Sequence, residues 1–382
     1  MLRQFLTLSA GEGVARGFHA LAFLLVARSA GPQALGEFGV AQAVASYGLL
    51  AVQRGLDVPA MLRVAQAPER ADALRAALVR LRFPVFLLLL AAAGVWRNWL
   101  VLAMAGMWLA AAAQSRWLLI ARQQSTAVAG AAILAAGVFL AAAGAGLPLV
   151  WVAAALSIGE LVAAGWCWLA VGGKWIPRSP LEGELERESW PFLASLLLGN
   201  LLYSLDVFVL GAMRLEAEAG LYVAAYRLIT VFSPILGALQ NSSLPVFGKL
   251  FPDKEAVQRM ALGVWTRSAS AAAVIALLLG LTPSFLALLY GNAFMAAAPL
   301  VPVFALVLPI QVTRMVYRQA LLAFRGQQRD MWNLGSAVAA NLALDLALAP
   351  FYGAMGCAIS TVCAESLFAF LTWRAWRGAA CE

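Results

Sequence analysis

Charged residues inside apolar segments are the groups of this sequence that could do chemistry. Near the N-terminus, Glu12, Arg16 and His19 fall at i, i+4 and i+7, so they share one face of a helix. On such a face, Arg16 can bind a phosphate group while Glu12 sets its orientation. The alternative is a local Glu12–Arg16 ion pair, with Gly13 and Gly17 making a close contact to another helix. His19 either couples proton movement or packs as a hydrogen-bonded side chain.

A second set of basic residues lies in the C-terminal half, where Gln311, Arg314 and Arg318 share a helix face. Burying one charge in a membrane helix costs about 2.5–3.5 kcal/mol, so two arginines without a local acid require an anion. That anion comes from elsewhere in the protein or from a ligand. We predict that Arg314 and Arg318 contact a substrate, although Arg318 can instead extend to the cytoplasmic surface.

Polar and acidic residues recur together on another apolar segment. Asn200, Tyr203 and Asp206 fall at i, i+3 and i+6, and we predict that Asn200 and Tyr203 contact the substrate. Asp206 has three open roles, which are an ion pair with Arg227, coordination of a coupling cation, and a structural contact within its half of the chain.

The last two apolar segments each carry an acid one helical turn after a polar residue. Asn341 precedes Asp345, and Thr361 precedes Glu365, both at i, i+4. Asp345 and Glu365 are either counter-ions for the arginines or part of a proton or sodium site. Glu160 is a further candidate of the same kind.

The composition shows which elements must position these residues. The chain has 382 residues, of which 63% are hydrophobic and 12% charged, and its net charge is +8. Soluble domains contain about 45–50% apolar and about 25% charged residues. One membrane helix takes about 20 apolar residues, so the sequence holds about twelve spans. These values exclude a soluble enzyme, a disordered chain, a disulfide-rich secreted module and a membrane anchor with a large aqueous domain.

Apolar runs that are interrupted by Gly, Pro and charged residues give the approximate positions of these spans. The predicted spans are Leu8–Ala27, Phe38–Leu56, Leu81–Trp96, Trp99–Ala121, Ser125–Ala145, Leu149–Val171, Pro191–Met213, Ala219–Leu244, Ala261–Leu281, Pro299–Phe324, Trp332–Ala349 and Tyr352–Trp373. The third span is short, and we expect Arg80 and Arg82 to extend to the surface at its start. Basic residues concentrate in the loops on one side, which predicts that both termini lie in the cytoplasm.

Internal similarity divides the predicted spans into two sets of six. An acidic, proline-containing linker at 173–190 separates an N-terminal lobe at 1–172 from a C-terminal lobe at 191–382. After the first and seventh spans, Gly36 aligns with Gly220 and Phe38 with Tyr222. Parallel repeats of this kind hold a substrate between them in transporters. We therefore predict an all-α, polytopic membrane transporter.

Several kinds of chemistry have no motif in this sequence. It lacks a Gly-x-x-x-x-Gly-Lys-Ser/Thr loop for ATP, a metal-ligand cluster, a catalytic triad pattern and a disulfide framework. We therefore expect no enzymatic activity, no cofactor and no metal. The positive charge belongs to loops at the anionic leaflet, so we expect membrane lipids and no nucleic acid as partners.

Short motifs in both halves carry a family resemblance. They are GEGVAR at 11–16, LGEFG at 35–39, WPF at 190–192, DVFVLG at 206–211 and AGLYVAAYRL at 219–228. In these motifs and in its span count the chain resembles the polysaccharide-biosynthesis flippases, which are the O-antigen and exopolysaccharide exporters of the multidrug/oligosaccharidyl-lipid/polysaccharide superfamily.

The resemblance implies two six-helix lobes around a V-shaped central cavity. It implies that the cavity carries a lipid pyrophosphate-linked oligosaccharide from the cytoplasmic to the outer leaflet by alternating access, for lipopolysaccharide or related polysaccharide synthesis. It also implies H⁺ or Na⁺ as a coupling ion and a polysaccharide polymerase complex as a candidate partner. In related lipid II flippases, arginines on the first, second and eighth spans line the cavity. Arg16 and Arg227 match that placement, whereas Arg54 on the second span departs from it, because it lies at the span end near Asp57.

Two other functions remain open at this stage. One is a cation-coupled multidrug exporter of the same superfamily, in which we would expect an acid-rich cavity. The other is a membrane polysaccharide polymerase or ligase, which would carry a large outer loop with catalytic residues.

Overall fold

The computed structural model describes residues 2–122, 124–172, 182–230, 247, 250, 253–282, 285–324 and 326–378. All regular secondary structure in these ranges is helical, which confirms the all-α prediction. Residues 173–181 of the predicted linker lie outside the described residues, and 182–190 form the start of a long helix.

Fifteen α-helices and two short 3₁₀ segments account for the described residues. The first eight helices are α1 (Leu2–Gln53), α2 (Asp57–Gln66), α3 (Ala71–Trp96), α4 (Trp99–Met104), α5 (Gly106–Ala113), α6 (Arg116–Ala121), α7 (Ser125–Gly144) and α8 (Leu149–Val171). The others are α9 (Glu182–Ala212), α10 (Glu216–Thr230), α11 (Lys254–Leu281), α12 (Phe285–Tyr290), α13 (Leu300–Ala305), α14 (Val307–Ala323) and α15 (Gln327–Gly378). The 3₁₀ segments are Pro68–Arg70 and Asn292–Ala297.

Seven described helical segments are long and apolar enough to cross a membrane. They are Ala10–Gln53, Pro68–Trp96, Ser125–Gly144, Leu149–Val171, Lys254–Leu281, Leu300–Ala323 and Gln327–Gly378, and shorter apolar helices occur at Trp99–Ala113 and Leu196–Ala212. This finding confirms a multi-pass membrane protein. The number of twelve spans stays a prediction.

The first and last helices are each 52 residues long and contain a break. At about 1.5 Å per residue, 52 residues would extend about 78 Å, more than twice the hydrocarbon thickness of about 30 Å. The helix breaks at Gly31 (φ 78°) in α1 and at Gly353 (φ 53°) in α15, a backbone conformation that glycine adopts without strain. The break at Gly31 lies between two predicted spans, whereas the break at Gly353 lies one residue after the predicted start of the last span.

The break in α15 is stabilised by a side chain from α10. The Glu218 carboxylate accepts a hydrogen bond from the backbone N–H of Ala354 at 2.9 Å. Ala354 begins the helical segment that follows Gly353, where the free N–H groups of a helix start favour a carboxylate. Glu218 therefore fixes the start of the last helical segment.

The chain divides into two compact units. Unit one comprises Met1–Ala30 and Val40–Asn200, and unit two comprises Gly31–Gly39 and Leu201–Glu382. The boundary thus falls inside α9 and beyond the predicted linker. It does so because the C-terminal turns of this continuous helix pack with the second half of the chain. The segment 31–39 belongs to unit two because it packs closely against α10.

In unit one, close helix contacts depend on small residues and on one tryptophan. The backbone of Gly159 on α8 lies so close to Ala135 on α7 that an added Cβ would be 2.5 Å from the Ala135 carbonyl oxygen. Trp108 is buried over Gly48, and its indole N–H donates to the Ala45 carbonyl at 2.7 Å. These contacts bring α1, α5, α7 and α8 together around the polar pocket described below.

Arg82 is buried and does not extend to the surface as the sequence predicted. Helix α3 begins at Ala71, well before the predicted start of this span, so Arg82 lies in the helix interior. Its guanidinium donates to the Asp57 carboxylate at 2.7 Å, and its side chain is 0% exposed. An ion pair with another helix therefore compensates the charge.

In unit two, the segment 31–39 crosses α10 with a two-fold pattern of contacts. A Cβ on Gly36 would overlap the Glu216 carbonyl oxygen, and a Cβ on Gly220 would overlap the Pro32 carbonyl oxygen. The sequence alignment that pairs Gly36 with Gly220 also pairs Pro32 with Glu216. The contacts are therefore reciprocal, as in an interface between two copies related by a two-fold axis. This reciprocity supports the internal duplication that the sequence suggests.

Candidate functional site

A buried polar cluster in unit two contains two of the predicted acids. Asp206 on α9 accepts hydrogen bonds from the Asn341 amide at 3.3 Å and the Thr361 hydroxyl at 3.0 Å. The same Asn341 amide donates to Asp345 at 3.2 Å, and Asp206, Asn341 and Asp345 are all 0% exposed. Of the three roles left open for Asp206, these hydrogen bonds show a structural contact within its half of the chain.

The two carboxylates of this cluster lie where a cation would fit. One ligand atom each from Asp206, Asp345 and the buried Cys357 lie within 4.8 Å of one another. One oxygen of each carboxylate accepts no hydrogen bond from the described residues. Two buried carboxylates this close require a proton or a bound cation between them. The expectation of no metal-ligand cluster missed this grouping, because Asp206 on α9 is distant in sequence from Asp345 and Cys357 on α15.

Arg314 is satisfied by a network of protein side chains in unit two. Its guanidinium pairs with the Glu365 carboxylate at 2.9 Å and donates to the Tyr203 hydroxyl at 3.1 Å. It also lies 4.8 Å from the centre of the Phe368 ring, and Gln311 donates to Glu365 at 2.9 Å. Of the two predicted roles for Glu365, the structure shows the counter-ion geometry.

Arg318 also has a protein counter-ion, which the sequence reasoning missed. Its guanidinium contacts both carboxylate oxygens of Asp330 at 2.8–2.9 Å. Asp330 lies in the first turn of α15, whereas Arg318 lies on α14. Helical spacing relates residues of one helix only, so it could not predict this pair. The short loop between these helices was the only sequence signal for this pair.

Arg227 and Asn200 are the remaining predicted substrate residues of the second half. Arg227 on α10 is half-buried and interacts electrostatically with Tyr290 of α12. Burial raises the pKa of the Tyr290 phenol, and the nearby Arg227 charge opposes that shift. Asn200 is half-buried and is the last residue of unit one.

Unit one contains a polar pocket with a volume of about 270 Å³. The predicted face of α1 lines it, because Glu12, Arg16 and His19 all border the cavity. Arg116 of α6 and Glu160 of α8 complete its set of charged residues. Between these side chains the walls consist mainly of alanine, so the charges lie in an otherwise apolar cavity.

The ion pair in this pocket differs from the one that the sequence suggested. The Glu12 carboxylate accepts a hydrogen bond from Arg116 at 2.9 Å, and the two side chains are 39% and 38% exposed. Arg16 is exposed to the cavity and has no hydrogen bond or ion pair within the described residues. The local Glu12–Arg16 pair is therefore wrong, and Arg16 remains able to bind an anion.

Two packing predictions for α1 have different outcomes. The ring of His19 lies 5.5 Å from that of Phe139, so His19 packs against an aromatic residue while it borders the pocket. Within the described residues, no atom lies within 4 Å of a Cβ on Gly13 or Gly17, so these glycines do not make the predicted helix contact. Gly11 makes such a contact instead, since its added Cβ would overlap Ala129.

The pocket can bind an oxyanion through its two arginines. A guanidinium matches phosphate and carboxylate oxygens with paired N–H donors, and it does so more strongly where water is partly excluded. Glu12 and Glu160 balance the two positive charges when no ligand is present. The pocket therefore combines Arg16, which forms no ion pair with another described residue, with Arg116, whose partner is half exposed.

Comparison with known proteins gives a family and a fold. Residues 1–251 match the family described as polysaccharide biosynthesis protein. No curated protein matches the sequence. Among solved structures, a multidrug resistance MATE-family transporter of the MOP superfamily, in an inward-facing conformation, is 14% identical with a TM-score of 0.80. That match covers 95% of this chain and 94% of the transporter.

Two further structures share the fold. The lipid II flippase MurJ in an inward closed conformation is 12% identical, covers 98% of this chain and 90% of its own, and has a TM-score of 0.73. A MOP-superfamily transporter from Pyrococcus furiosus, described as having a binding pocket of reverse polarity, is 14% identical with a TM-score of 0.61. That match covers 99% of this chain and 95% of the transporter.

These findings confirm the resemblance stated from the motifs. The structural neighbours are described as transporters and a flippase. At these low identities, the structural matches establish the fold alone. The chain belongs to the polysaccharide biosynthesis protein family and has the polytopic all-helical fold of MOP-superfamily transporters.

Proposed function

We propose that the protein is a flippase that moves a lipid pyrophosphate-linked oligosaccharide from the cytoplasmic to the outer leaflet of a bacterial inner membrane. The observation that carries this proposal is Arg16, which lines a pocket among apolar helices and forms no ion pair with the residues that the structure describes. A charge in that position is costly unless a ligand or water compensates it. Membership of a polysaccharide biosynthesis family supports a glycan as the cargo.

The proposed substrate contacts centre on unit one. Arg16 and Arg116 would bind the pyrophosphate or an acidic sugar of the cargo. Arg314, Arg318 and Tyr203 would act in protein networks, because carboxylates of the protein already satisfy both arginines. Arg227 and Asn200 remain proposed substrate contacts of the second half.

The proposed energy source is a cation that binds in unit two. Asp206 and Asp345 would take up H⁺ or Na⁺, whose charge offsets that of the carboxylates. The two carboxylates supply hard oxygen ligands, which suit either ion better than a transition metal. Alternating access would then couple cation movement to cargo movement.

Complementation of a flippase-deficient bacterial strain tests the proposed function. We expect the wild-type gene to relieve the accumulation of lipid-linked oligosaccharide, and the Arg16→Gln variant to fail while reaching the membrane at the normal level. Arg97→Gln is the matched control, because Arg97 is exposed at the end of α3 and does not line the pocket. An active Arg16→Gln variant would contradict the assigned site.

A cation-coupled drug exporter is the second candidate function. The similarity to MATE-family transporters and the carboxylate cluster of unit two favour it. The same strains discriminate the two functions through growth in toxic organic cations. Drug resistance without relief of oligosaccharide accumulation would support the exporter and contradict the flippase.

The proposed localisation places both termini in the cytoplasm and allows contact with a polysaccharide polymerase complex. Reporter fusions at the two ends test the orientation, since a periplasm-specific reporter should stay inactive at both. Cross-linking in cells followed by detection of the polymerase tests the partner.

A further inference from the structure

The Glu12–Arg116 pair has features of a contact that can be exchanged. A single hydrogen bond of 2.9 Å joins the two side chains, and each is more than one-third exposed. Both border the same cavity as Arg16. In contrast, the Arg314–Glu365 pair of unit two has exposed fractions of only 9% and 1%. The pair in unit one is therefore held much less firmly than the pair in unit two.

The position of the pair is also the position in which an anion would bind. Arg16 and Arg116 belong to different helices but line one pocket, and a guanidinium can donate to an oxyanion. Glu12 presents a carboxylate to Arg116, which is the same chemical group that an acidic sugar would present. A bound ligand that uses both arginines must therefore compete with Glu12.

Loss of the Glu12 contact would leave Arg116 with another partner. Glu160 also lines the pocket and interacts electrostatically with Arg116. An incoming oxyanion and Glu160 together can compensate the Arg116 charge after Glu12 has moved away. The exchange thus avoids the cost of leaving a partly buried guanidinium without an anion.

We propose that Glu12 is a competing internal ligand, which occupies Arg116 until an oxyanion of the cargo displaces it. This proposal rests on the proposed function, because it assigns the cargo to the pocket of unit one. Glu12 would thereby make binding selective. A cargo would displace it only if its anion contacts both Arg16 and Arg116. The displacing group is either a pyrophosphate or the carboxylate of an acidic sugar.

Equilibrium binding to the purified full chain tests this proposal, with sodium pyrophosphate and sodium glucuronate as separate probes. Because a half-exposed ion pair is weak, its removal can change the affinity for a probe by at most about fivefold. We therefore expect Glu12→Gln to bind one of the probes more tightly, by about two- to fivefold. Glu37→Gln, an exposed position on the same helix outside the pocket, should show no change.

A second background shows whether Glu12 acts through Arg116. In an Arg116→Gln chain, the Glu12→Gln substitution should give no gain in affinity, because the contact that it removes is already absent. A gain of the same size in both backgrounds would overturn the proposed competition. Melting temperatures and elution profiles of all variants verify that each chain is folded.

The outcomes separate this proposal from the proposed function. If Arg16→Gln weakens probe binding but Glu12→Gln leaves it unchanged or weakens it, the proposed role of Glu12 is wrong. The assignment of the anion site to this pocket is then retained. If neither Arg16→Gln nor Arg116→Gln changes the binding of either probe, the assignment of the cargo anion to this pocket is wrong. The probe that gains affinity in Glu12→Gln identifies which oxyanion the site prefers.

Discussion

Removal of Glu365 should destabilise unit two, because Arg314 would lose its counter-ion in a buried position. The side chains of Arg314 and Glu365 are 9% and 1% exposed, so water cannot replace the lost partner. Breaking such a buried pair costs about 3–5 kcal/mol in the free energy of unfolding. Loss of the hydrogen bond from Gln311 adds about 1 kcal/mol.

Thermal unfolding of the purified chain in detergent measures this effect. For a unit of this size, a loss of 3–5 kcal/mol lowers the melting temperature by on the order of 10 °C. Glu365→Ala and Arg314→Ala should each show it. In the double variant Arg314→Leu/Glu365→Leu, the melting temperature should fall by less than the sum of the two single-variant decreases, because no charge is left unpaired.

The opposite result would support the prediction that Arg314 contacts the substrate. If Arg314→Ala abolished oligosaccharide transport and left the melting temperature unchanged, its pairing with Glu365 would not be structural. A double variant whose loss equals the sum would also refute the reasoning, since the two residues would then be energetically independent. Val264→Ala on α11, which removes apolar volume without touching a charge, is a control for detergent-dependent shifts.

Three further predictions concern other contacts. Arg318→Gln should cost about 1–3 kcal/mol in stability by leaving Asp330 partly unpaired, and a melting temperature equal to that of the wild type would contradict it. Gly220→Val should abolish membrane abundance or transport because its side chain would overlap a neighbouring backbone, whereas Gly263→Val, with open space around it, should be tolerated in the same immunoblot and complementation assays. Asp206→Asn should remove any stabilisation of the chain by Na⁺ or by acidic pH in thermal unfolding, and a variant that keeps the full cation effect would show that the ion binds elsewhere.

The sequence predicted the helical class and the pocket-lining face of α1 correctly, for a physical reason. Apolar runs and the 3.6-residue period act along one helix, so both can be read without knowledge of its neighbours. Glu12, Arg16 and His19 therefore appear together in the pocket, as their spacing predicts. The Gly31 break between the first two spans is also a local feature, since a Gly-Pro pair interrupts a helix.

The partners of the charged residues could not be predicted in the same way. Glu12 pairs with Arg116, and Asp206 with Asn341, over 104 and 135 residues of sequence. Which helices meet depends on packing across the whole unit, and a period within one helix contains no information about it. Helix contacts through glycine have the same limit, as Gly11 rather than Gly13 or Gly17 shows.

The sequence distance between Glu12 and Arg116 has a consequence for biosynthesis. Glu12 leaves the ribosome 104 residues before its partner, which at about 5–20 residues per second is a delay of roughly 5–20 s. During that interval the nascent span carries a carboxylate whose final partner has not been synthesised. Arg16, one turn away on the same helix, is a cation that Glu12 can use in the meantime. The local Glu12–Arg16 pair, which the folded protein lacks, would then form during synthesis. The Glu12–Arg116 pair would replace it once Arg116 has been synthesised.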